Sequence, residues 1–261
     1  MRPYLVFTYQ DYEHNLGGPK VLHRLCHELN EAGHEAYIDR SASNPAWNTP
    51  FHEPPLDGDW IAIYPEVVWG NPWNAPRVAR WCLNHPGKLG GQKVYDPAEI
   101  VFVFHELFDH MGLGPERVLN LPTIETDIYV DRHLSRVGPT FYVGKGDKSR
   151  EVPGAVEITR SLALNREYLA YILNTATVMY TFDNETAMAE IARLCGCPVI
   201  VIPDGSYTWE QYDRFVGWVG QGWDAMPPPF DSAAYREWYL GRVGAFRGQL
   251  ARFIEITQAA Q

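Results

Sequence analysis

The sequence predicts an α/β protein with parallel sheets, built as two halves of similar size. Three observations lead there. Hydrophobic runs of strand length alternate with helical patterns along most of the chain. A strand, a tight Gly loop and a helix open the sequence, and the same alternation resumes near Pro139 after an irregular stretch. With 261 residues, 46% hydrophobic and 13% aromatic, the chain has length for two small domains and apolar material for both cores.

Taken in order, Pro3–Tyr9 reads as a buried strand, Asn15-Leu16-Gly17-Gly18 as a tight loop and Pro19–Ala32 as a helix with Pro in its first turn. Leu22, Leu25, Cys26 and Leu29 recur at helical spacing, Gly33 closes the helix and Glu35–Asp39 supplies the next strand. Residues 40–59, rich in Pro, Ser and Asn, read as a loop. Strands are expected at Trp60–Tyr64, Ile100–His105 and Leu121–Tyr129. Ala75–Leu83 reads as helical, ending before Asn84-His85-Pro86-Gly87.

A boundary is expected near Asp131–Gly138, giving domains 1–134 and 135–231, followed by 232–261. In the second series Thr140–Val143, Ala155–Thr159 and Thr177–Thr181 read as strands and Asn165–Asn174 as a helix. Tyr180–Gly205 then reads as strand end, acidic loop, helix, Gly turn and strand. Beyond Tyr207 the pattern is helical, broken by the Pro-rich Met226–Phe230, and Ser232 to about Thr257 forms a long amphipathic helix.

Composition narrows the function classes. A net charge of −10 with no Lys or Arg stripe gives no broad footprint for nucleic acid. The amino terminus is too quickly polar for a secretory signal and no run approaches a membrane span, so a cytoplasmic location is expected. Four cysteines without framework spacing fit reduced thiols. Cys195-Gly196-Cys197 is too tight for a zinc knuckle, and His105-Glu106-Leu107-Phe108-Asp109 misses the zincin pattern because Asp109 replaces its second His. No metal is expected.

The candidate site residues lie where strands give way to loops, the edge at which open α/β sheets carry ligands. Gly17 and Gly18 open the first helix, whose amides suit an anion; a plain βα turn is the alternative. Gly144-Lys145-Gly146 places a cation between glycines, as a diphosphate clamp requires, or else is a solvated hairpin charge. Neither G-x-G-x-x-G nor a Walker loop is complete there. Arg160 and Arg166 flank the next loop and are further candidate phosphate partners. Asp183, Glu185 and Thr186 precede a helix, and Glu190 lies within it, where it could reach a sugar hydroxyl while the helix end holds phosphate. Glu66 and His105 are the candidate bases for an acceptor hydroxyl, the alternative being local hydrogen bonds to loop backbone.

Asp183–Gly205, with Thr186, Glu190, Ala192 and Gly196-Cys197-Pro198-Val199-Ile200, resembles the donor-binding helix of two-Rossmann, GT-B type glycosyltransferases. Gly17-Gly18 with Gly33-His34 resembles their amino-terminal half. Tyr64-Pro65-Glu66, Gly70-Asn71-Pro72 and Arg80-Trp81 through Pro86-Gly87 resemble a subgroup of bacterial and viral polysaccharide glycosyltransferases. The resemblance implies two Rossmann-like domains facing across a cleft, in a compact version whose carboxy-terminal helix returns to the first domain. It also implies a metal-independent transferase. Glu190 would bind the donor ribose, the amides near Glu185 and Thr186 the diphosphate, and Lys145 the leaving group. The partners implied are a nucleotide-sugar donor and a saccharide or lipid-linked acceptor. One departure stands out: Phe182 occupies the place of the family's first Glu, with Asp183 beside it. A catalytically silent scaffold of the same shape and a phage-type nucleic-acid glucosyltransferase are the rival expectations.

Overall fold

The computed structural model describes residues 1–54, 57–216 and 219–259. Its elements are β1 (Tyr4–Val6), α1 (Gly17–Glu31), β2 (Ala36–Ile38), β3 (Ile61–Pro65), β4 (Arg77–Cys82), β5 (Ile100–Val103), β6 (Gly138–Tyr142), β7 (Val156–Glu157), α2 (Arg160–Ala163), α3 (Arg166–Thr175), β8 (Ala176–Thr181), α4 (Ala187–Leu194), β9 (Val199–Val201), α5 (Trp209–Val216), β10 (Gln221–Trp223) and α6 (Ser232–Ala259). Unit 1 comprises Met1–Thr123 and Arg242–Gln261, and unit 2 comprises Ile124–Gly241. No helix among the described residues is long and apolar enough to cross a membrane.

Unit 1 holds a parallel sheet in the order β2-β1-β3-β4-β5. The chain leaves β1 for β2 through α1 and returns to the other side of β1 at β3. The order therefore reverses between β1 and β3, which makes their carboxyl ends a topological switch point. One sheet face is covered by helices: Tyr4, Val6, Ile63, Trp81 and Phe102 pack with Leu22, Leu25 and Leu29 of α1 and with Phe246, Leu250 and Phe253 of α6. The other face is covered by loops, Tyr64 and Val78 meeting Val68 and Ala75, and Val101 and Val103 meeting Tyr95, Phe108 and Val118.

A face covered by loops buries backbone that no helix satisfies, and Arg80 meets that need. Its side chain is 0% exposed and pairs with Glu99, Nε to Oε2 at 2.6 Å. The same guanidinium donates to the carbonyls of Val68, at 2.9 Å, and Gly70. It lies 5.1 Å from the ring centroids of both Tyr64 and Tyr95. This environment corrects the helix expected over Ala75–Leu83. The segment is instead the strand β4, whose alternate residues serve both covered faces: Ala79 and Trp81 one, Val78 and Cys82 the other.

Two further corrections concern edges. No strand forms over Leu121–Tyr129: Pro122 brings no N–H, the Ile124 amide donates to the Tyr239 hydroxyl at 2.9 Å, and the Ile128 and Tyr129 amides close a turn on the Glu125 carbonyl. Ile124, Ile128 and Tyr129 pack in the second core, so unit 2 begins ahead of the boundary expected at 131–138. The 40–59 loop is a loop apart from an isolated bridge of Phe51 to Ile38, with residues 55–56 outside the described residues.

Unit 2 repeats the same order with other strands, β10-β9-β8-β6-β7, all parallel. The switch point now falls between β6 and β8. Helices α3, α4 and α5 and the first turns of α6 build one core through Leu169, Leu173, Met188, Ala192, Tyr212, Tyr235 and Tyr239. A smaller cluster of Phe141, Val143 and Phe182 packs with Val152 and Ala155 of the loop that joins β6 to β7. Arg136 gathers four carbonyls, those of Leu173, Ala176, Cys195 and Gly196, at 2.8–3.3 Å. The strand β10 carries no β-branched residue, and its Gly222 leaves no room for a Cβ against the Ala225 carbonyl.

Candidate functional site

At the switch point of unit 2, β6 and β8 end side by side, Tyr142 in register with Thr181. The chain leaving β6 makes a turn closed by the Gly146 amide on the Val143 carbonyl at 2.8 Å. Gly144 has φ +55°, and a Cβ on it would strike the Asp183 carboxylate and the Tyr142 ring. A Cβ on Gly146 would strike the Phe182 carbonyl. The two glycines therefore let the Lys145 backbone lie directly against the loop that follows β8.

Asp183 organises that contact. Its Oδ2 accepts from the Lys145 amide at 3.0 Å and from Lys145 Nζ at 2.9 Å, while Oδ1 accepts from the Glu185 amide at 3.1 Å. The Asp183 side chain is 5% exposed and that of Lys145 33%. Lys145 Nζ also donates to the Glu185 carbonyl at 2.9 Å. An ammonium has three N–H donors, and these bonds use two.

The following helix starts at the same loop. Thr186 caps α4, its Oγ1 accepting from the Met188 amide at 3.1 Å. The helix presents the positive end of its dipole and amides without helical acceptors beside Lys145. Glu190 stands in its first turn and is half-buried. Neighbouring loops converge there too. Tyr207, after β9, donates to Glu185 Oε1, and Asn184 Nδ2 donates to Asp204 Oδ1 at 2.7 Å. The Tyr142 phenol is pushed up by burial and by the Asp183 charge, and is drawn back by a hydrogen bond with Thr186 and by the Arg160 charge.

No protein-family model matches this chain, and no curated protein does.

Lys145, Gly144, Asp183, Glu185 and Thr186 thus form one constellation, with Glu190 a turn into its helix. Arg160 begins α2 at the exposed rim, whereas Arg166 is committed to Glu125 at 3.3 Å. Phe182 is a core residue of the Phe141–Val143 cluster, so its position holds no carboxylate for chemistry.

Gly17, Gly18, Glu66 and His105 belong to unit 1. The helix α1 begins at Gly17, two residues before the expected start, because both glycines take helical backbone rather than loop conformation. A Cβ on Gly18 would lie 2.5 Å from the Tyr9 hydroxyl, so Gly18 makes room for that phenol. Glu66 is 2% exposed, and its Oε2 accepts from the Leu83 amide at 2.8 Å. Burial pushes its carboxyl up to about 7, with hydrogen bonds from backbone amides acting the other way. His105 caps a short 3-10 turn, Glu106–Phe108, with Nδ1 accepting from the Leu107 amide at 3.1 Å. That acceptor role leaves the proton of the neutral ring on Nε2. Asp109 builds a turn, accepting from the amides of Met111, Leu113 and Gly114. Cys195 and Cys197 are buried thiols, each pushed up to about 12 by burial.

Sequence reasoning missed Tyr142, Asn184, Asp204 and Tyr207. Their signal was position: each stands at or just beyond the carboxyl end of a strand in the same parallel sheet.

Proposed function

We propose that the chain is a glycosyltransferase that moves a sugar from a nucleotide-sugar donor, held by unit 2, to a hydroxyl of a saccharide or glycolipid acceptor, held by unit 1. One observation carries this reading. The Lys145 ammonium is fixed between the Asp183 carboxylate and the Glu185 carbonyl, beside the capped start of α4, at the switch point of a parallel sheet.

A departing nucleoside diphosphate gains negative charge as the glycosidic bond breaks. A cation and helix amides already in place favour that state over the bound donor, because they need no reorganisation. In this scheme Lys145 and the α4 amides hold the diphosphate, Glu190 accepts from ribose hydroxyls, and Asp183 is a positioning residue that holds Lys145. The carboxylate missing at Phe182 is then not needed. Glu66 is buried and accepts from the Leu83 amide, which suits a route dominated by leaving-group stabilisation rather than by Glu66 as base.

Turnover of UDP-, GDP-, dTDP- and CMP-sugars tests the reading. One donor class should be hydrolysed or transferred. Lys145→Ala should lower kcat/KM by about 10²-fold and Glu190→Ala by about tenfold. The absence of both binding and turnover across the panel would remove the transferase reading.

A further inference from the structure

The carboxyl edge of the sheet in unit 1 carries a second site of different chemistry. An open pocket of about 560 Å³ lies at the carboxyl ends of β1 and β2, lined by Phe7, Asp39 and Arg40 directly after those strands, by Phe51 and Glu53 of the loop after β2, and by Trp73 of the β3–β4 connection. Asp11 lines it as well. Its size falls within the range of small-molecule sites.

The aromatic wall is built to hold still. Trp73 rests on Phe7 at 5.2 Å and on Tyr64 at 5.0 Å between ring centroids, and Phe7 and Tyr64 meet at 5.8 Å. The Tyr64 hydroxyl accepts from the Trp73 amide at 3.2 Å and donates to Asn71 Oδ1 at 2.9 Å. Asn71 in turn clasps Ala75, Oδ1 accepting from its amide at 3.0 Å and Nδ2 donating to its carbonyl at 2.8 Å. Gly70 and Asn74 take positive φ, +57° and +49°, which closes the loop on itself. The indole is therefore pinned from behind and through its own backbone. On the polar wall Asp39 is also fixed, its Oδ1 accepting from the Thr8 amide at 2.8 Å and the Thr8 hydroxyl at 2.7 Å. The Arg40 guanidinium donates to the Tyr9 carbonyl at 3.3 Å.

Three carboxylates against one guanidinium repel phosphates and other anions. Carboxylates accept pairs of hydroxyl donors, and a fixed indole face stacks on the C–H face of a sugar ring. We infer that this pocket binds a saccharide unit that is neutral or carries an amino group, and rejects uronates and sugar phosphates. As the acceptor site it rests on the transferase reading above; as a saccharide site it stands on these contacts alone.

Saccharide titration of the full chain, followed by tryptophan fluorescence and saturation-transfer NMR without nucleotide, tests it. The probes are glucose, galactose, mannose, glucosamine and glucuronate. At least one neutral or amino sugar should bind, with glucuronate at least tenfold weaker. Trp73→Ala should weaken binding about tenfold. Glu53→Gln, at an exposed position where folding is not at stake, should narrow the preference over glucuronate severalfold. Absence of binding by every neutral and amino sugar, preferred binding of glucuronate, or unchanged binding in both variants would overturn the inference. Because no nucleotide is present, that failure is distinct from failure of donor turnover.

Discussion

Units 1 and 2 carry the same strand order around the same kind of switch point, yet they cover their sheets and furnish their edges differently. Unit 2 returns from β7 to β10 through helices, and its switch point offers a cation and a helix amino end. Unit 1 has a helix only in its first crossover among the described residues. Its remaining connections are loops, and the carboxyl edge of its sheet offers an indole and carboxylates. Topology sets where a ligand goes, and the loops set which one. An anion suits the second edge and a polyhydroxylated neutral group the first.

The largest expected effect separates the two units by how they use charge. In unit 1 the Arg80–Glu99 pair is buried and structural. Glu99→Gln leaves Arg80 with a neutral partner, and urea unfolding should show a loss of about 3–5 kcal/mol. In unit 2 the Lys145–Asp183 pair is one-third exposed on its cationic side, so Lys145→Ala should change stability by no more than about 1 kcal/mol. Comparable losses in both variants would erase the distinction.

Next comes pH. The Glu66 carboxyl titrates near 7 in the folded state, above the unfolded value of about 4.3. Between those values the folded protein holds the proton more tightly. Its stabilising contribution is thus full below about pH 4 and is lost as pH rises through 7, roughly 4 kcal/mol in total. Glu66→Gln keeps an acceptor for the Leu83 amide without the titration. The stability difference between variant and wild type should therefore shift by roughly two-thirds of that amount from pH 5 to pH 8; a constant difference would place the proton elsewhere. The smallest effect is at the α4 cap, where Thr186→Ala should cost about 1 kcal/mol by thermal unfolding.

Much of this was legible in the chain. The strand ends that carry Lys145 and Asp183 follow from hydrophobic runs bounded by glycines and acids, and Thr186 at the head of an apolar-periodic stretch marks a cap. The strand β4 was not legible, because a strand serving two covered faces has no polar side to display. Arg80 in its middle is buried only because Glu99 and the Val68 and Gly70 carbonyls, distant in sequence, accept from it. The Trp73 platform was hidden for another reason: Asn71 and Tyr64 hold it through contacts across the loop, which spacing does not reveal. At Gly18 the sequence cannot separate a glycine that admits the Tyr9 phenol from one that admits a ligand, because both ask only for a missing Cβ.

The central claim is that the switch point of unit 2 takes a nucleoside diphosphate on Lys145 and the head of α4. Thermal-shift titration of wild type and Lys145→Ala with UDP, GDP, dTDP and CMP tests it directly. One nucleotide should stabilise the wild type, by about 2.7 kcal/mol at 100 times its Kd, and should stabilise the variant far less at the same concentration. No shift with any nucleotide, or an equal shift in both proteins, would contradict it.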